Sequence, residues 1–168
     1  LLRAIAGFLP MTAGKISCND GPFDAHRQET RANALRCLWY AQEDGLAEAL
    51  TSHENLSLLP QTARRADVEA QLNRHDPFGI AGFLHQPIRS LSTGQRQRVA
   101  LTRLCFEPSA KCLWLLDEPN SGLDSAGQKA FEALLATHQE AGGLSILASH
   151  HPLDSRLKPR YLDLSIKE

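Results

Sequence analysis

The sequence has almost no surplus charge. Its 18 lysines and arginines meet 19 aspartates and glutamates, for a formal net charge of −1. That balance gives no electrostatic footprint for a nucleic-acid backbone or an anionic membrane surface, so no nucleic-acid partner is expected. Long hydrophobic runs are also lacking. Stretches such as Cys112–Leu116 fall far short of the about 20 apolar residues that a bilayer-spanning helix needs. The four cysteines, Cys18, Cys37, Cys105 and Cys112, show no metal-type spacing. No signal-peptide pattern is seen, and reduced cytosolic thiols are expected. Internal repeats and low-complexity tracts are missing too. What remains is 168 residues, 42% hydrophobic and 22% charged, enough for one domain with a real core.

The chain opens in the middle of a helix pattern. Leu1, Leu2, Ile5 and Ala6 share a face, and Gly7 and Pro10 end it. With no initiator Met, cap or polar lead-in, upstream sequence is expected to be missing. "GKISCNDGPF" reads as a hairpin turning at Asn19-Asp20-Gly21. An apolar cluster follows at Leu35, Leu38, Trp39 and Tyr40. Residues 46–86 favour helices, punctuated by Pro60, Pro77 and Pro87. "LSTGQRQRVAL" turns from loop into helix. "KCLWLLDEP" is an apolar run closed by two acids, as in a buried strand of a parallel sheet. An amphipathic helix is predicted from near Ser125 to Gly142-Gly143, then a strand in "LSILASHHP" and a third in "YLDLSI". Strand, helix, strand in this order predicts a right-handed crossover and an α/β layer.

Several of these stretches carry chemistry. Ser92 and Gly94 sit just ahead of a helix, where the first-turn amides and the dipole suit a phosphate. A buried strand ending in Asp117-Glu118 delivers two acids to the carboxyl edge of the sheet, where α/β proteins bind ligands. Asp117 suits Mg²⁺, held through water, and Glu118 suits the general base for an attacking water. Alone, the pair reads equally well as solvated acids capping a strand. "NSGLD" is a tight polar turn ending at Asp124, and by itself a turn and N-cap. The strand Leu144–Ser149 runs into His150-His151; a histidine there suits a γ-phosphate contact, though a lone one reads as surface. "TAGKIS" is not a phosphate loop. Leu9 stands where the first Gly is required, and Ile16 follows Lys15 in place of Ser or Thr.

In this order and spacing the elements resemble the ATP-binding cassette (ABC) ATPases. "LSTGQRQRVALTR" is similar to the family signature, "LWLLDEP" to its Walker B strand, "SGLD" to its D-loop and "SILASH" to its switch-histidine strand. The resemblance implies an α/β, P-loop NTPase-like ABC ATPase domain, truncated at its amino terminus. Its core would comprise residues 1–42 and 91–168, with a helical subdomain at 43–90. It implies ATP as ligand, Mg²⁺ at Asp117, Glu118 as base and His150 as γ-phosphate contact. His151, ahead of Pro152, is expected to point elsewhere. Ser92, Gly94 and Gln95 would cap the nucleotide of a second subunit, with Asp124 at the dimer contact. The Q-loop position falls on Gln42, or on Glu43 if "EALTSHENLSLL" is aligned without gaps.

Within the family, "LWYAQEDGLAEALTSHENL" and "ILASHHPL" are most like the ATP-binding subunits of the heme exporters of cytochrome c maturation. That implies a transport-coupled ATPase, homodimeric and docked on integral membrane permease subunits at the cytoplasmic face of the bacterial inner membrane. The Walker A loop does not occur in these residues, so this chain alone is expected to be inactive. Three alternatives stay open: the ATPase of another importer or exporter, a cassette protein acting on ribosomes or DNA, and a non-catalytic fragment that only occupies a partner surface.

Overall fold

Five consecutive apolar residues, Cys112 to Leu116, are satisfied only where a sheet is covered on both faces. In the computed structural model of the protein they form the central strand. The structure describes residues 1–18, 21–22, 36–41, 45–59, 65–106 and 112–164. Its elements run α1 (Leu2–Ile5), β1 (Ser17–Cys18), β2 (Gly21–Pro22), β3 (Arg36–Ala41), α2 (Ser52–Ser57), α3 (Arg65–Arg74), α4 (Thr93–Thr102), β4 (Cys112–Asp117), α5 (Ser125–Glu140) and β5 (Leu144–Ala148).

Strands β3, β4 and β5 form one parallel sheet with β4 in the middle. Successive side chains of a strand point to opposite faces, and β4 divides its residues accordingly. Cys112, Trp114 and Leu116 enter the larger core with Val99, Leu101, Leu104, Phe131 and Leu135. Leu113 and Leu115 pack against Leu2, Ile5 and Ala6 of the first helical turn. Burying each such side chain is worth about 1.5–3 kcal/mol. The β4–α5–β5 unit is the predicted strand–helix–strand. Helix α5 starts with Asp124 as N-cap, its carboxylate accepting from the Gly127 N–H at 2.8 Å. It stops where Gly142 turns left-handed (φ +86°), with Gly143 N–H bonded to His138 O and Gly142 N–H to Gln139 O.

Some expectations are corrected. Tyr161–Leu164 form no strand, and their large side chains are exposed; they line a cleft with β5 but are not paired to it. The third strand of the sheet is β3, which the sequence showed only as an apolar cluster. Leu1 does not share the buried face of Leu2, Ile5 and Ala6; it is exposed. Leu46–Leu50 is not helical either. Asn55 bonds both the N–H and the C=O of Ala47, and Leu50 O and Glu48 O accept from Ile88 and Arg89. Those outside partners replace the helical bonds. Helix α2 follows instead, behind a Thr51–Glu54 capping box. The β1–β2 hairpin pairs Ser17 with Pro22 and Cys18 with Gly21, while Asn19 and Asp20 of its turn lie outside the described residues. Among the described residues no helix is long and apolar enough to cross a membrane.

Candidate active site

Parallel pairing sets the site. Asp117 is the last residue of β4, opposite Ala41 on one side and Ala148 on the other. The chain then breaks sharply. Glu118 takes φ +48°, a left-handed conformation that costs a non-glycine residue about 1–3 kcal/mol. Its N–H still bonds Ala148 O at 2.8 Å, so the turn starts from the ladder. Strand β5 ends beside it, and His150 Nε2 lies 3.5 Å from Glu118 Oε1. His151 is turned back differently: its N–H bonds Ser149 Oγ at 3.0 Å. Asp117, Glu118, Ser149 and His150 line a cleft of about 930 Å³ together with Leu1 and Arg3; His151, expected to point elsewhere, lines the same cleft.

The acid pair and the histidine therefore meet at one open edge. The donor chemistry there fits Mg²⁺, which is held by one or two carboxylates while phosphate oxygens and water complete its shell. Among the described residues no group of three or more His, Cys, Asp or Glu is placed to hold a metal without such help.

Ser92, Gly94 and Gln95 do not line this cleft. Ser92 caps α4, accepting from the Gln95 N–H, while Gln95 Oε1 accepts from the Ser92 N–H at 2.9 Å. The Ser92 hydroxyl keeps its proton to donate. Gly94 backs onto the 120–124 turn, and a Cβ there would come 3.3 Å from Gly122 O. Asp124 is held by its own chain. Its carboxyl lies below the usual carboxylate range, chiefly because it accepts from Gly127 N–H, and Arg98 Nη2 donates to it at 2.7 Å. Gln42 and Glu43 lie outside the described residues.

Three residues escaped the sequence reading. Arg98 ties Asp124 to the Phe78 carbonyl. Gln97 bonds the turn after Glu118, and Asn120, within that turn, accepts from Ser149 Oγ; both are buried. A signal for Gln97 existed: it shares a helix face with Leu101 and Leu104, and an amide in an apolar stripe needs a partner. Of the described cysteines, Cys105 and Cys112 are in no disulfide. Burial, with the Asp76 charge adding to it, pushes the Cys105 thiol up to about 12.

Comparison with known proteins adds the following. Residues 1–121 match the family described as ABC transporter. The chain is 43% identical over 166 residues to the cytochrome c biogenesis ATP-binding export protein CcmA of Pseudomonas savastanoi pv. phaseolicola, covering 99% of this chain and 75% of that one. It is 35% identical to CcmA of Albidiferax ferrireducens, covering 96% and 75%. Among solved structures it resembles the dimeric post-hydrolysis state of the ATP-binding cassette MJ0796 bound to ADP and Pi. There the TM-score is 0.68 at 22% identity, with 93% of this chain and 69% of the other covered. It also resembles cbiO1 of Clostridium perfringens, part of the ABC transporter complex cbiONQ. That match has a TM-score of 0.58 at 27% identity and covers 89% and 61%.

Proposed function

The chain belongs to the ABC transporter family, as an ATP-binding subunit most like CcmA, and from that premise we propose that it works as the ATP-hydrolysing motor of a heme exporter in cytochrome c maturation. The observation that carries the catalytic part is the convergence of Asp117, Glu118 and His150 on one cleft at the carboxyl edge of the sheet. The 43% identity to CcmA carries the choice of transporter.

In this reading ATP binds with its γ-phosphate toward that edge. Glu118 takes the proton of the attacking water, and His150 contacts the γ-phosphate and orients it. Mg²⁺ beside Asp117 would neutralise phosphate charge. Ser92 and Gly94, away from the cleft, face a second subunit and cap the nucleotide held there, with Gln95 holding Ser92 in place and Asp124 near the contact. Gln42 would report nucleotide state to the membrane partner, and residues 43–90 would form the helical subdomain that touches it. ATP thus bridges two subunits, and loss of the γ-phosphate weakens the bridge. The dimer docks peripherally on integral permease subunits at the cytoplasmic face of the inner membrane. The loop that grips the β- and γ-phosphates has the pattern Gly-x-x-x-x-Gly-Lys-Ser/Thr, which does not occur in the 168 residues.

The test has two arms. The 168-residue chain by itself is expected to release no phosphate above background. Joined to a phosphate loop ahead of Leu1, Glu118→Gln is expected to trap ATP and Mg²⁺ and elute as a dimer in gel filtration. Phosphate release by the unextended chain that Glu118→Gln abolishes would refute the first arm. A near wild-type rate with an unchanged monomer–dimer ratio would remove Glu118 from the role of base.

A further inference from the structure

The turn that carries Glu118 is braced from two neighbouring elements. From α4, Gln97 Nε2 donates to Pro119 O at 2.7 Å. From the end of β5, Ser149 Oγ donates to Asn120 Oδ1 at 2.8 Å. Both amide side chains are buried, Gln97 at 5% exposure and Asn120 at 3%. A buried amide without a partner is costly, so these bonds fix where the turn sits, through the nitrogen of Gln97 and the oxygen of Asn120, whose Nδ2 has no partner among the described residues. The Glu118 N–H is anchored to Ala148 O, and Gln97 pins the next residue's carbonyl; the left-handed Glu118 is clamped on both sides.

We propose that Gln97 is a positioning residue for Glu118, holding the Pro119 carbonyl so that the acid stays aimed at the cleft, and that Asn120, within the same turn, ties it to Ser149 at the end of β5. The proposal rests on Glu118 being the general base. It has a mechanical consequence. Helix α4 presents Ser92 at its start and Gln97 in its second turn. One rigid helix therefore links the group facing the second subunit to the turn holding this subunit's base. A shift of α4 when Ser92 engages a phosphate moves Pro119 with it.

Gln97→Met keeps the length and burial of the side chain and removes its donor. Amide hydrogen exchange on the 168-residue chain reads the turn directly. The Glu118 and Ser121 amides are expected to exchange about tenfold faster, with β4 and the body of α5 unchanged. Asn120→Ala, which leaves Gln97 intact, is expected to act in the same direction. In a form joined to a phosphate loop, Gln97→Met is expected to lower kcat roughly ten- to hundredfold while KM for ATP moves by less than about twofold. Unchanged exchange at Glu118 and Ser121 in both variants overturns the proposal. Faster exchange spread evenly over α4, β4 and α5 overturns it too, because Gln97 would then support the whole fold. A wild-type kcat in Gln97→Met beside an inactive Glu118→Gln overturns the positioning role alone. A wild-type rate in Glu118→Gln removes the base itself, and the proposal with it.

Discussion

Toward the start of β4, Trp114 lies flat against His138 of α5, ring centroids 3.6 Å apart and planes within 5°. Both side chains are only 1% exposed, and the His138 Nε2–H donates to Leu144 O at 3.3 Å. At the far end of the same strand, Glu118 stands in a left-handed turn and the His150 side chain is 95% exposed. One strand thus has a closed end and an open one, each marked by a histidine. At the closed end the imidazole is a packing piece, and space is so tight that only glycine fits at 143, where a Cβ would fall on the His138 ring. At the open end the backbone carries strain and the side chains face a cleft. Packing at the closed end holds α5 and β5 on β4, and so fixes the distance between Glu118 and His150.

The largest effect expected from breaking this contrast lies at the open end. In a form joined to a phosphate loop, His150→Ala should cut turnover on the order of 10²-fold, as removing a positioned contact to transition-state charge does. His151→Ala should be mild. The two behaving in reverse would mean that the strand register is off by one residue. Next comes the closed end. Gly143→Ala should destabilise the fold by about 1–3 kcal/mol in urea denaturation, because the added methyl overpacks the Trp114–His138 stack. No loss would show that the stack has room to give.

The smallest effect is a pH dependence. Burial holds the His138 imidazole below its ordinary value of 6.5. The folded chain keeps it neutral, and the unfolded chain takes up a proton below that value. Its contribution to stability is therefore present above pH 6.5 and is lost as the pH falls below it, by at most about 1.4 kcal/mol per pH unit. His138→Phe, which keeps a ring against Trp114, should flatten that slope. An identical slope in the variant would assign the pH dependence to other groups.

Legibility in the sequence followed the range of the forces involved. The apolar run of β4 was readable because a strand covered on both faces is apolar at every position, and the amphipathic α5 because its burial repeats with the helical period. The cap at Asp124 acts over three residues and left a local signature, while the capping boxes at Thr51 and Ser92 went unread. The segment Leu46–Leu50 was misread because its composition favours a helix, while its backbone bonds go to Asn55, Ile88 and Arg89. Strand β3 is six residues long, and its strand character depends on pairing with β4, which lies far along the chain.

By itself, then, the sequence determined which acids end the central strand, where α5 begins, and the order of motifs that marks the family; α4 starts at Thr93, so that Gly94, expected ahead of the helix, lies in its first turn. Each of these depends on neighbours a few residues apart. Only the tertiary structure decided that Glu118 turns left-handed, that its carboxylate comes within 3.5 Å of His150 Nε2, that Gln97 and Asn120 brace its turn, and that His138 closes on Trp114. Those contacts join residues from separate elements. Their geometry comes from the register of β4 with β5 and from the packing of α4 and α5, which no local pattern encodes.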